Sequence, residues 1–181
     1  MRNSRAVLFW TTFLIAFGIP GAGWLGIAPG TAGAFTGMKA PAIASPDWIN
    51  SGPLPPEALR GKVVLVEFWT FGCFNCRNVE PRIKDWHQRY SDRGLVVIGI
   101  HSPEFSYEKN VDRVRQYVRD HRIPYAVAID NDYENWNRFG NHYWPALYLI
   151  GKNGIVRYRK VGEGDYARTE KMIERLLDES F

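Results

Sequence analysis

Apolar positions along this chain alternate between unbroken runs and runs spaced for one face of a helix, and the alternation predicts the order of its elements. Residues 62–69 read KVVLVEFW between Gly61 and Gly72, with Glu67 the one charge inside the run. A short continuous apolar stretch of this kind is expected of a central strand covered on both faces. Val79, Ile83, Trp86 and Tyr90 then fall at i, i+4, i+7 and i+11, the apolar stripe of a helix. LVVIGI at 95–100 reads as a second buried strand. Val111, Val114 and Val118 repeat the helical spacing, with Asp112, Arg113, Arg115 and Arg119 turned to water. YAVAID at 125–130 predicts a third strand, and YLI at 148–150 closes a fourth. GKNG at 151–154 is a hairpin turn signal, which makes IVRYRKV at 155–161 the antiparallel partner. Met172, Ile173, Leu176 and Leu177 mark a closing helix, with Asp165 its expected N-cap. The order is β-α-β-α-β, a short helical insert, then ββα. Alternating strands and helices imply parallel strands with right-handed crossovers, while the hairpin adds antiparallel ones. The predicted class is α/β, a mixed central β-sheet flanked by helices.

The N-terminus follows a different pattern. MRNSR is a short positive segment, and AVLFWTTFLIAFGI at 6–19 is apolar all round. Ala32-Gly33-Ala34 fits an A-x-A cleavage site, so residues 1–34 read as a secretory signal peptide. A membrane anchor over residues 6–28 is the second reading, since that mostly apolar stretch is long enough to span a bilayer of roughly 30 Å. Pro20 and glycines 18, 21, 23 and 26 weaken it as a stable helix. Both readings send the remainder out of the cytoplasm, into the periplasm or cell envelope. Residues 35–60, rich in Pro, Gly, Ala and Ser, suit a linker and lead-in with the fold starting near residue 39, and residues 61–181 form the main domain.

Charge and cysteine content narrow the classes. The net charge of +4 includes Arg2 and Arg5, and without them 21 basic residues face 19 acidic ones. So small an excess, with no basic stripe interleaved with aromatics, gives no case for nucleic acid. Basic RYRK at 157–160 is better read as the guard of an edge strand against aggregation. Two cysteines cannot build a disulfide-stapled miniature domain. Cys73-Phe74-Asn75-Cys76 falls between the first strand and the first helix. There, unpaired N–H groups and the helix dipole favour a thiolate on Cys73. Cys76 lies one turn below on the same face. The arrangement suits an exposed nucleophile, Cys73, and a shielded resolving thiol, Cys76. A structural bridge and half of a zinc site are the competing readings. A bridge this local restrains the unfolded chain little, and His87, His101, His121 and His142 lack zinc-finger spacing. His101 and His142 sit at strand ends, where open sheets bind ligands, but also where ordinary loop and core histidines sit.

Strand, FW, C-x-x-C and a helix with proline five residues after the second cysteine resemble the thioredoxin superfamily. GKVVLVEFWTFGCFNC, GIHSPEF, YWPALYLIGKNGIVRY and GEGDY are similar to exported redoxins of the TlpA/ResA type and to the C-terminal domain of DipZ-type proteins, over roughly residues 39–178. The resemblance implies a thioredoxin-like fold and thiol–disulfide exchange through a redox-active Cys73–Cys76 disulfide, with no metal and no organic cofactor. It implies a cis Pro145 opposite the pair, flanked by Trp144, and Phe74 and Asn75 facing substrate between the cysteines. Glu67 matches the buried acid beneath the pair, a possible proton acceptor and donor for Cys76, although related domains commonly carry Asp there. Pro81 is expected to kink the first helix, and Trp69 to cover the sulfurs or simply join the core. The expected partners are exported protein thiols and disulfides and a redox partner such as a membrane thiol reductase, with reduction the favoured direction. Two alternatives stand beside this. Thr70-x-x-Cys73 echoes peroxide reductases, though Val66 replaces their proline, and Cys73, Cys76 and His142 are the candidate ligands of a copper-binding or metallochaperone module.

Overall fold

The computed structural model describes residues 36–181, and the expected signal or anchor at 1–34 lies outside the described residues. In chain order the elements are β1 (Trp48–Ile49), α1 (Pro56–Leu59), β2 (Val63–Trp69), α2 (Phe74–Tyr90), β3 (Leu95–His101), α3 (Val111–Asp120), β4 (Ala126–Ile129), α4 (Glu134–Arg138), β5 (Ala146–Ile150), β6 (Val156–Val161) and α5 (Tyr166–Asp178). They build one six-stranded sheet of order β1-β4-β3-β2-β5-β6. The strands β2, β3 and β4 run parallel, while β1 on β4, β5 on β2 and β6 on β5 are antiparallel. The fold is thioredoxin-like, with the mixed sheet the periodicities predict.

The continuous apolar run of β2 is explained by its place. It is central in the sheet and buried at every position. Side chains alternate across a strand, so Val63, Leu65 and Trp69 join the core beneath α2, α3 and α5. Val64, Val66 and Phe68 join a second core on the other face, with Phe139 just after α4 and the lead-in residues Ala40, Ile43, Trp48 and Leu54. The predicted stripe of α2 is buried throughout, with Val79, Ile83, Trp86 and Tyr90 all inside. Pro81 lies within α2 and the helix continues past it to Tyr90. At the opposite edge, β6 carries RYRK, where Arg157 makes a bidentate pair with Glu179 at 2.8 and 2.9 Å.

Two details depart from the sequence pattern. The lead-in contributes an edge strand, β1, and a bridge from Lys39 to Ile155; so short a strand among prolines leaves no periodicity to read. Asp165 precedes α5 but does not cap it through its side chain. Its backbone is left-handed (φ 55°, ψ 31°), whereas a capping carboxylate needs an extended backbone to reach the N2 or N3 amide. Its carbonyl instead accepts from the Thr169 N–H at 3.1 Å and the Thr169 hydroxyl at 3.2 Å.

Gly99, paired with Glu67 across β2 and β3, makes room for the indole of Trp69. A Cβ there would lie 2.7 Å from Trp69 Nε1 and 3.3 Å from Tyr125. Gly99→Ala is therefore expected to cost about 1–3 kcal/mol by overpacking and to change tryptophan fluorescence, as urea unfolding followed by emission will show.

Candidate active site

The site lies at the carboxyl ends of β2 and β3, where β5 begins. Cys73 stands at the N-cap of α2 with an extended backbone (φ −75°, ψ 117°). Its Sγ accepts a hydrogen bond from the Cys76 N–H at 3.2 Å. The two cysteines form a disulfide with their Cα atoms 5.3 Å apart. The helix thus directs one of its free N–H groups at the sulfur that has to become a thiolate. Cys73 was expected to be openly exposed, yet it retains only 9% exposure against 3% for Cys76. Both cysteines belong to the core cluster against which Phe71 and Trp144 pack. Phe74 and Asn75, between them, are exposed, Phe74 at 67%.

Glu67 occupies the β2 face that carries Leu65 and Trp69, the face covered by α2 and the cysteines. It is 2% exposed. Burial, followed by the charge of Glu80, pushes its carboxyl up from the ordinary 4.5 to about 8, and a hydrogen bond from the Tyr125 hydroxyl at 3.4 Å opposes this. Burial thus favours the protonated form of Glu67. Glu80 lies one turn beyond Cys76 on α2, buried, and accepts from Tyr117 Oη at 2.9 Å, Lys84 Nζ at 2.9 Å and His121 Nδ1 at 3.1 Å.

Ala146 pairs with Phe68, so Pro145 stands one register step further along, level with Trp69 at the end of β2. The Trp144–Pro145 peptide is cis, and the Pro145 carbonyl accepts from the Gly162 N–H at 2.8 Å. Trp144 is tied to the end of β3 through Nε1 to the Ser102 carbonyl at 2.9 Å, and its ring lies 4.2 Å from that of Trp136. Trp69 is buried in the same cluster as both cysteines. The Thr70 hydroxyl lies 3.2 Å from His101 Nε2, both fully buried, and burial lowers the His101 imidazole to about 3. His142 is exposed on the loop before Trp144. Among the described residues no group of three or more His, Cys, Asp or Glu side chains is arranged to hold a metal ion.

Glu80, Tyr125 and Glu108 join the surroundings of the site without standing out in the sequence. Glu80 had a signal, four residues after Cys76 on one helix face. Tyr125 and Glu108 had none, because they reach the site from other elements.

On an arbitrary scaffold a disulfide three residues apart is a local staple. Hung between the central strand and the first long helix of this sheet, it places the chain in the thioredoxin-like class of redoxins. Residues 36–159 match the AhpC/TSA family, and the chain belongs to that family. The DipZ proteins of Mycobacterium bovis and Mycobacterium tuberculosis are 43% identical over 136 residues, 74% of this chain. The match spans only 20% of their length. The thiol-disulfide oxidoreductase YkuV of Bacillus subtilis is 26% identical over 133 residues, 74% of this chain and 89% of its own. A thioredoxin-like protein solved in its oxidised form superposes with a TM-score of 0.71 at 27% identity, over 79% of this chain and 97% of that one.

A carboxyl whose native pKa is raised holds its proton more tightly folded than unfolded, so its contribution to stability falls as pH rises between the two values. For Glu67 that window runs from 4.5 to about 8. Glu67→Gln should gain on the wild type by roughly 1 kcal/mol per pH unit across it, measured by urea unfolding of the oxidised protein at pH 5 and pH 8. A difference independent of pH would contradict the burial of an ionisable Glu67.

Proposed function

We propose that this protein exchanges dithiol for disulfide with exported proteins, as a reductant, using Cys73 and Cys76 as its own redox centre without metal or organic cofactor. The observation that carries the reading is the disulfide at the start of α2, with the Cys76 N–H bonded to Cys73 Sγ. In the reduced enzyme the Cys73 thiolate attacks a substrate disulfide, and one substrate sulfur leaves as thiolate. Cys76 then attacks Cys73 Sγ, forming the intramolecular disulfide and releasing the second substrate sulfur, so that two electrons pass to the substrate. Glu67 is the candidate proton carrier: its carboxylate takes the Cys76 proton as Cys76 attacks, and the neutral acid returns a proton when the disulfide is opened again.

Export is supported by the apolar run at 6–28 and by the resemblance to exported redoxins. Trp144, Pro145, Phe74 and Asn75 are the candidate substrate contacts, with Phe74 and Asn75 exposed in the first turn of α2 and Pro145 level with the end of β2. The electron donor is proposed to be a membrane thiol reductase. Reduction as the direction rests on the same resemblance. The peroxide alternative is disfavoured by Thr70, whose hydroxyl faces His101 in the interior. The copper alternative is disfavoured by His142, which joins no group of three or more metal-ligating side chains among the described residues.

In cells, Cys76→Ser should trap exported proteins as mixed disulfides on Cys73, and Cys73→Ser should trap none; empty traps under both reducing and oxidising conditions would sink the proposal. The midpoint potential is expected well below the roughly −120 mV of a strong oxidant, and a value near that figure would reverse the direction. Glu67→Gln should also remove the step near pH 8 from the pH profile of the exchange rate.

A further inference from the structure

Glu108, in the turn between β3 and α3, has no part in the exchange just described, yet its side chain is fully buried (0% exposed). A buried carboxylate needs its oxygens satisfied, and here backbone amides do this. Oε1 accepts from the Gly72 N–H at 3.0 Å, and Oε2 accepts from the N–H groups of Glu104 at 2.6 Å and Phe105 at 2.9 Å. Three N–H donors around two oxygens suit a carboxylate, which offers acceptors alone. No cationic side chain is among these partners, so the charge is held by amide dipoles alone.

Gly72 immediately precedes Cys73. A Cβ at Gly72 would lie 2.2 Å from Glu108 Oε1 and 2.6 Å from the Tyr107 hydroxyl, so the backbone of the cysteine loop rests directly on both side chains. Tyr107 in turn meets Phe71 edge-on at 5.8 Å and stacks on Phe105 at 5.8 Å, and Phe71 stacks on His101 at 5.7 Å. One carboxylate therefore joins the loop before the nucleophile to the turn after β3.

We propose that Glu108 is a positioning residue that tunes the Cys73–Cys76 couple: it engages the Gly72 N–H and holds a negative charge one peptide unit from Cys73. Converting the disulfide to two thiols takes two electrons and two protons. A nearby negative charge disfavours the Cys73 thiolate, and so disfavours the reduced state that a stabilised thiolate would promote. The clamp thus shifts the couple toward disulfide, the sense required of a reductant. This inference rests on the proposed function, since it assigns a role within the same redox pair.

The test is Glu108→Gln in the full chain, with Gly72→Ala as a second variant that displaces the clamp from the other side. The Gln amide keeps one acceptor oxygen and opposes the remaining N–H groups with donors of its own. Each protein is equilibrated with a dithiol/disulfide buffer at pH 7, the Cys73 thiolate is titrated by ultraviolet absorbance, and the melting temperature is recorded. Both variants are expected to move the equilibrium about tenfold toward the dithiol, about 30 mV for a two-electron couple, and to lower the pH at which the thiolate appears. A lower melting temperature with equilibrium and titration unchanged would make Glu108 merely structural and overturn the proposal, as would a shift toward disulfide. If Glu108→Gln does not fold, Gly72→Ala decides on the same readouts. The buffer equilibrium needs no protein substrate, so failure of the mixed-disulfide trapping leaves this measurement intact, and failure here leaves the trapping intact.

Discussion

Burial of β2 on both faces is the constraint from which the site follows. Its side chains alternate into two separate cores, so the strand cannot shift by one residue without exchanging them. That register buries Glu67 on the helix-covered face, and it ends the strand at the edge where the cysteine loop leaves the sheet. Desolvation of Glu67 and placement of Cys73 are two results of one packing arrangement. The same burial explains why Gly99 stands opposite Glu67, since Trp69 and Tyr125 occupy the space a larger residue would need.

Around that strand the polar groups of the site are satisfied from several elements at once. Glu67 is met by Tyr125, Glu80 by Tyr117, Lys84 and His121, and Glu108 by three backbone amides. Buried carboxylates left without such partners would cost several kcal/mol each. Of the three, the Glu108 carboxylate bonded to the cysteine loop opposes thiolate formation, against the helix N-terminus and the Cys76 amide. The chemistry of the pair is set by the balance of these opposing influences.

Much of this was legible from the residues. The run at 62–69, the stripe Val79-Ile83-Trp86-Tyr90 and the turn GKNG placed the central strand, the first helix and the hairpin, because burial imposes periods that composition must match. Cys73 and Cys76 announced themselves by spacing at a strand-to-helix junction. Tyr125 and Glu108 were hidden for the opposite reason: they lie 58 and 36 positions from Glu67 and Gly72 respectively, and no local pattern encodes a contact across that distance. Asp165 shows the limit even locally, because a residue type favoured at caps does not determine the backbone angles it will adopt.

Which stretches must be buried, and that two thiols stand one helical turn apart, can be read from the residues alone, since both follow from periodicities of backbone geometry. Packing of the elements set the rest: it covers Cys73, favours the protonated form of Glu67, and brings Glu108 to the loop before the nucleophile. Exposure, proton affinity and long-range hydrogen bonds depend on which surfaces meet, and surfaces meet only once the strands and helices have packed.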